Sequence, residues 1–327
     1  IAGCWTTDGA RNIMLGRTAN GIFWMFRYLE RAENIARLVE AGFRMALMRG
    51  ADAASEEWRS VLATLGEQTA YDAQYDDYDA MQVCNFVLRD KANPQNALLL
   101  LENARNNARM ARSSVTTEVW EAVNEGWMMV RDLLARPARE NNLGLVLGTI
   151  RRQSSLVRGA SYGTMLRNDI YHFARAGTFI ERADNTARIL DVKYHLLLPT
   201  VAHVGSRLDT TQWDGVLRSL GGDRAYRWLN AGRMDARGIA NFLMMDARFP
   251  RSLVFCLDQL LENLDDLVEE YGEEGLSHRL AREAVARLAA ADTDAIFDMG
   301  LHEFLIRFIS ENHEIASAIS ADYRFVD

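Results

Sequence analysis

The sequence predicts an all-α protein: an internally duplicated multi-helix bundle whose two pseudo-symmetric halves pack into one compact body. Three observations carry this. Apolar residues recur at helical spacing over most of the 327 residues, while the strict alternation of strands is scarce. Only four prolines interrupt the chain. Residues 28–40 (YLERAENIARLVE) return at 179–191 (FIERADNTARILD), which sets Glu30, Arg31, Asn34 and Arg37 over Glu181, Arg182, Asn185 and Arg188. A repeat of this kind governs the reading of the whole fold.

The repeat runs beyond this motif. EEWRSVLATLG (56–66) resembles TQWDGVLRSLG (211–221), aligning Trp58 with Trp213. CNFVLRDKANPQNALLLLE (84–102) resembles ANFLMMDARFPRSLVFCLD (240–258), aligning Asn85 with Asn241, Asp90 with Asp246 and Pro94 with Pro250. The offset drifts only from 151 to 156, so loops absorbed small insertions while the element order stayed. The expected organisation is an extension outside the repeat over 1–13, a first helical repeat over 14–140, a connecting helix over 141–164, and a second repeat over 165–327. Two such copies are expected to pack about a pseudo-two-fold axis, as homodimers do about a true one.

Taken in order, the first long helix is expected from about Thr18 to Arg49. A short helix follows at 56–65, with Gly66 suited to its C-terminus. The acidic, tyrosine-rich stretch 71–80 reads as a solvated loop or the start of a helix. Helices are then expected over 79–90 and 95–136, the latter broken near Ser113–Thr117 and stopped by Pro137. Pro94 and Pro250 are expected in first helical turns, where a missing N–H costs nothing. The second half repeats this plan after a hinge-like 199–211. Its last helices are expected at 251–270, 276–291 and 293–320.

A net charge of −8 argues against general binding to nucleic acid or anionic membranes, while leaving local arginine clusters free to hold an anion. Cys4, Cys84 and Cys256 show no metal-ligand spacing, and an odd, unpatterned set points to free thiols in a reducing cytoplasm. No apolar run approaches the roughly 20 residues that span a bilayer, and no secretory signal is visible. No Gly-rich phosphate loop, nucleophile elbow or paired-cysteine motif occurs. The six histidines form no metal-ligand pair. Trp24, Trp120, Trp127 and Trp228 read as core or interface aromatics.

The repeated motif carries the chemistry. Positions three, four and seven apart share one helical face. Glu30, Glu33, Asn34 and Arg37 have this spacing, as do Glu181, Asp184, Asn185 and Arg188, beside stripes of alanine and larger apolar residues. Three readings are open. In the first, Arg37 and Arg188 pair with the carboxylates in a structural seam that fixes how the halves dock. In the second, Glu30, Glu33, Glu181 and Asp184 manage protons while Arg37, Arg188, Asn34 and Asn185 hold a substrate. In the third, the carboxylates hold a metal pair, although the His that di-iron bundles add three residues after a Glu is missing from both copies. Arg31 and Arg182 point off the row and are candidates for binding a neighbouring helix or an anion. Arg105, Arg109 and Arg112 share one face of another helix, which reads either as a solvated face or one paired with acidic residues of the chain, or as an anion site shared with Arg17, Arg151, Arg152 or Arg167. The matching segment of the second half is acidic, so this face is not required by the repeat.

MLGRTANGIFWMFRYLERAENIARLVE, ARNNAR (104–109), TTEVWEAVN (116–124), FIERADNTARILD, AYRW (225–228) and FLMMDARFPRSLVFCLDQL occur in this order. On these motifs the chain resembles the bacterial alpha-E family from Met14 to about Leu267. One departure is Asn106, where the family usually carries Glu, so no acid–base role is expected there. The resemblance implies an all-helical domain that works beside a circularly permuted ATP-grasp protein. Such enzymes activate a carboxylate as an acyl phosphate for attack by an amine. It therefore implies a part in ATP-dependent peptide or amide formation on an amino acid or small peptide, with ATP and Mg on the partner and no cofactor held by this chain. A non-catalytic scaffold for the ATP-grasp protein is the alternative implication, and assembly into a homo-oligomer stays open.

Overall fold

The structure, a computed structural model, describes residues 8–49, 51–196 and 207–325. Described residues form α1 (Asp8–Arg49), α2 (Ala51–Leu65), α3 (Gln68–Asp72), α4 (Ala80–Arg89), α5 (Ala97–Met110), α6 (Thr117–Leu133) and α7 (Glu140–Thr164). The chain continues with α8 (Asp169–Leu196), α9 (Arg207–Leu220), α10 (Asp223–Leu229), α11 (Ala236–Met245), α12 (Leu253–Tyr271), α13 (Leu276–Ala289), α14 (Thr293–Met299) and α15 (Leu301–Asp322). The protein is all-α, as its periodicity requires, and no described residue lies in a strand. No described helix is long and apolar enough to cross a membrane.

The two longest helices, α1 and α8, pack along each other at the centre. Gly177 lets them touch: a Cβ there would run into the carbonyl oxygen of Phe23. Against α1 lie α2, α5 and α7; against α8 lie α12 and α15. Then α6 bridges α5 to α7, and α13 bridges α12 to α15. Contacts also run from α9 to α1 and from α2 to α8. Because neighbours surround both central helices, their buried residues fall on every side: Ile22, Phe23, Met25, Phe26, Leu29, Ile35 and Val39 on α1, and Phe173, Phe179, Ile180, Ile189 and Leu190 on α8. Trp58 and Trp213, matched in the sequence, are both fully buried. In α7, Ser154 donates to the Leu29 carbonyl (3.4 Å), and in α15 Asn312 donates to the Ile180 carbonyl (3.0 Å), each just ahead of an ER motif.

Several boundaries differ from the sequence expectation, each for a local reason. The first helix starts at Asp8 rather than Thr18, and α2 starts at Ala51 rather than Glu56. Pro94 and Pro250 precede the first turns of α5 and α12 instead of sitting in them. The caps are Asn96 and Ser252, whose side chains accept from the backbone N–H of Leu99 (2.9 Å) and Phe255 (3.1 Å). The stretch 71–80 is not a solvated loop throughout, because Tyr71 is fully buried and donates to the Asp77 carbonyl at 2.7 Å. The helix expected over 293–320 is broken at Gly300, whose φ of +116° no helix accommodates. Gly66, with φ +76°, ends α2 as anticipated. Trp228 is 83% exposed, which removes the core half of its core-or-interface expectation. Cys84 and Cys256 are buried free thiols. Cys4 and most of the hinge-like 199–211 lie outside the described residues.

Candidate functional site

The two ER segments meet where α1 crosses α8, and each motif serves the other. Glu30 and Glu33 lie one turn apart on α1 and are essentially buried. From α8, Arg182 donates through Nε and Nη2 to the two oxygens of Glu30, at 3.1 and 3.0 Å. Arg251, in the turn ahead of α12, reaches Glu30 Oε1 (2.6 Å), Asn34 Oδ1 (3.3 Å) and Glu33 Oε1 (3.0 Å). Arg158 of α7 approaches Glu30 Oε2 (3.2 Å) and Glu33 Oε2 (2.5 Å). Arg37, one turn further along α1, donates to Glu33 Oε1 at 2.9 Å.

Burial by itself pushes both carboxyl groups towards the neutral form, and for Glu33 the neighbouring Glu30 charge adds to this. The arginines outweigh it. Arg182, Arg251 and Arg158 hold Glu30 well below the usual carboxylate range, and Arg251, Arg158 and Arg37 hold Glu33 below it. Both are therefore ionised at neutral pH, enclosed, and paired with guanidinium groups. A carboxylate in that state is a weak base and has no proton to give.

The second cluster is built from matching residues but is more open. Arg31 of α1 donates through Nε and Nη2 to Glu181, at 2.5 and 2.9 Å, and through Nη1 to Gln95 Oε1 at 2.8 Å. Arg27, whose guanidinium lies 4.4 Å from the centre of the Trp24 ring, adds a hydrogen bond to Glu181 Oε2 at 3.0 Å. Asp184 accepts from Arg188 Nε at 2.7 Å and faces His313 Nε2 at 3.0 Å. Burial would raise the Asp184 pKa, but His313 and Arg188 more than offset it and hold the group below its ordinary value.

A cleft of about 400 Å³ opens onto this second cluster. Arg31 and Asn34 line it from α1, and Glu181, Asp184, Asn185 and Arg188 from α8. Gln95, Glu67 and His313 complete the polar wall. Burial lifts the Glu67 carboxyl above its usual value, and Arg31 only partly counters this. Carboxylates, amides, guanidinium groups and an imidazole thus share one opening, a mixture suited to a small molecule that carries both an amine and a carboxylate.

The family described as an alpha-helical domain with a conserved ER motif, Alpha-E, matches residues 14–323. The chain belongs to the Alpha-E family. Among curated proteins it is similar to uncharacterised proteins of Mycobacterium bovis and of two strains of Mycobacterium tuberculosis. Each is 24% identical over 344 aligned positions, which cover 98% of this chain and 37% of the relative. The chain therefore spans little more than a third of the curated relatives it matches. No solved structure matches it.

Within this Alpha-E chain the expected site residues separate into three groups. Glu30, Glu33, Arg37 and Arg182 form the closed cluster, so the catalytic reading of Glu30 and Glu33 and the substrate-binding reading of Arg182 meet side chains already paired with one another. Glu181, Asp184, Asn34, Asn185, Arg31 and Arg188 line the cleft. Arg105 and Arg109 belong to neither: Arg105 donates to Asn124 (2.7 Å) and stacks 4.4 Å from the Trp127 ring centre, while Arg109 is exposed. Arg37 and Arg188, expected to fix the docking of the halves, bind carboxylates of their own helices, whereas Arg31 and Arg182 bind the neighbouring helix, one of the two roles expected for them. Sequence reasoning missed Arg27, Arg158, Arg251, Gln95 and His313. Arg251 and Gln95 were within reach, since each directly follows an aligned proline. Among the described residues no three His, Cys, Asp or Glu side chains gather as a metal-ligand set.

Proposed function

We propose that this Alpha-E chain is the acceptor-binding component of an ATP-grasp-linked system that forms peptide or amide bonds. The observation that carries this reading is the polar cleft at Glu181 and Asp184, lined by both copies of the ER motif and offering partners for an amine and a carboxylate at once. The partner would hold ATP and Mg and supply the acyl phosphate. This chain would position the amine that attacks it, and a neutral His313 would take the proton the amine releases. Glu30 and Glu33, each enclosed by arginines, serve the docking of the halves rather than proton transfer.

The test combines the chain with its ATP-grasp partner, ATP, Mg and pooled amino acids, with amide products followed by mass spectrometry. The expected product requires this chain and falls about tenfold or more with Asp184→Asn. A product that forms equally well without the chain would refute the acceptor role. It would favour a second reading, a helical scaffold for the ATP-grasp protein, for which the enclosure of the Glu30 cluster already speaks.

A further inference from the structure

We infer that the cleft binds an organic cation, a guanidinium or primary ammonium head, at the place that Arg251 fills in the closed cluster. This rests on reading the cleft as the acceptor site and adds the charge of what enters it.

The two clusters are built on one plan. The residue after Pro250 is Arg251, and the residue after Pro94 is Gln95; each then leads into a capping residue, Ser252 or Asn96. The two positions are therefore in register. In both clusters an arginine from the opposite ER motif donates Nε to Oε1 and Nη2 to Oε2 of the first glutamate. In both, an arginine one turn on donates Nε to the second carboxylate. In both, a basic side chain of the outer helix, Arg158 or His313, faces that second carboxylate. The second donor to Oε2 of the first glutamate comes from Arg158 in one cluster and Arg27 in the other, and the partner on Oε1 is replaced. Arg251 bonds to Glu30 Oε1, Glu33 Oε1 and Asn34 Oδ1, whereas Gln95 is shorter, uncharged, and turned so that its oxygen accepts from Arg31.

The acceptors that Arg251 would meet are consequently left facing the cleft. They are Glu181 Oε1, Asp184 Oδ2 and the Asn185 amide. Asn185 is only 8% exposed, and no described residue hydrogen-bonds its side chain. Its amide lines the cleft, where a ligand can take the place of solvent as its partner. A cation with two or more N–H donors would meet all three acceptors as Arg251 meets theirs, and about 400 Å³ leaves room for the body attached to it. Arg31 spends all three of its nitrogens on Glu181 and Gln95, so a carboxylate on the ligand would turn to Arg188, whose Nε alone is engaged among the described residues, by Asp184.

The test measures binding by calorimetry of L-arginine, L-lysine, L-citrulline and L-glutamate to the wild-type chain, Gln95→Arg and Asn185→Ala. Citrulline has the shape of arginine without its charge. At least one of the two cations should bind about tenfold or more tightly than citrulline, and glutamate should not displace it. Gln95→Arg supplies the missing guanidinium from within the chain, so it should raise the melting temperature and abolish that binding. Should this variant fail to fold, Asn185→Ala decides: it should weaken cation binding with little change in melting temperature. Equal binding of citrulline, displacement by glutamate, or binding of neither cation at about 1 mM would overturn the inference. So would cation binding that survives in folded Gln95→Arg, or in Asn185→Ala. The failures of the two readings are distinguishable. Amide product from a neutral or acidic amine, without cation binding, would remove the inference and leave the acceptor role. Cation binding without any product would do the reverse.

Discussion

Arg182 of α8 holds Glu30 of α1 by two parallel hydrogen bonds, and Arg31 of α1 holds Glu181 of α8 in the same way. The arginine of each ER motif thus serves the glutamate of the other. Such reciprocal forks fix the register of the two central helices, because a slide of one turn, about 5.4 Å, would break both at once. The two forks are not equally sheltered: the side chain of Arg182 is 10% exposed and that of Arg31 27%.

That difference sets the cost of removing each arginine. Arg182→Met should cost about 3 kcal/mol, the low end for breaking a buried pair, because Arg251 and Arg158 still face Glu30. Arg31→Met should cost less, since water reaches the cleft side of Glu181. Urea denaturation of both variants checks the order, and equal losses would show that the forks are not distinguished by burial.

Acid should destabilise the protein through these carboxylates. The folded-state pKa values of Glu30, Glu33 and Asp184 all lie below their ordinary values of 4.5, 4.5 and 3.8. A group of this kind contributes its full stabilisation above its unfolded pKa and loses it as pH falls towards the folded value. The melting temperature should therefore hold from pH 8 to about pH 5 and decline below that. Glu30→Gln should lower the plateau and flatten the acid limb. A wild-type decline that begins above pH 6 would implicate other groups.

Gly177→Ala tests the contact between the central helices. The added Cβ would meet the Phe23 carbonyl, which is backbone and cannot rotate away. Separating α1 from α8 should cost about 1–3 kcal/mol or more and loosen both forks. Thermal unfolding gives the loss. A variant as stable as the wild type would mean that the helices part without penalty.

Capping provides a matched comparison. Asn96→Ala and Ser252→Ala each remove a side-chain acceptor at the start of a helix, worth about 1 kcal/mol. The first loss should be larger, because Asn96 also donates to the Asp90 carbonyl at 2.9 Å and the Asn93 carbonyl at 2.7 Å, whereas Ser252 donates to the Asp246 carbonyl alone, at 2.8 Å. Denaturation midpoints of the two variants check this, and a greater loss for Ser252→Ala would contradict it.

Much of the site was legible in the sequence. The spacing of Glu30, Glu33, Asn34 and Arg37 placed them on one helical face, and α1 presents them so. The same spacing put Arg37 within reach of Glu33 and Arg188 within reach of Asp184. Arg31 and Arg182 read as pointing off the row towards a neighbouring helix or an anion, but which carboxylate they meet was not legible, because spacing along one helix says nothing about what a second helix brings alongside. Arg158 and His313 lie in helices far along the chain from the carboxylates they face.

Helical class, the repeated ER motif and the pairs within one turn were determined by the sequence itself, since local spacing and backbone hydrogen bonding settle them. Which arginine meets which glutamate, and that one cluster is closed while the other opens on a cleft, was decided only by the tertiary structure. The reason is physical: a buried carboxylate is satisfied by whichever guanidinium the packing brings within about 3 Å. Packing delivers Arg251 to the first cluster and the shorter, uncharged Gln95 to the second.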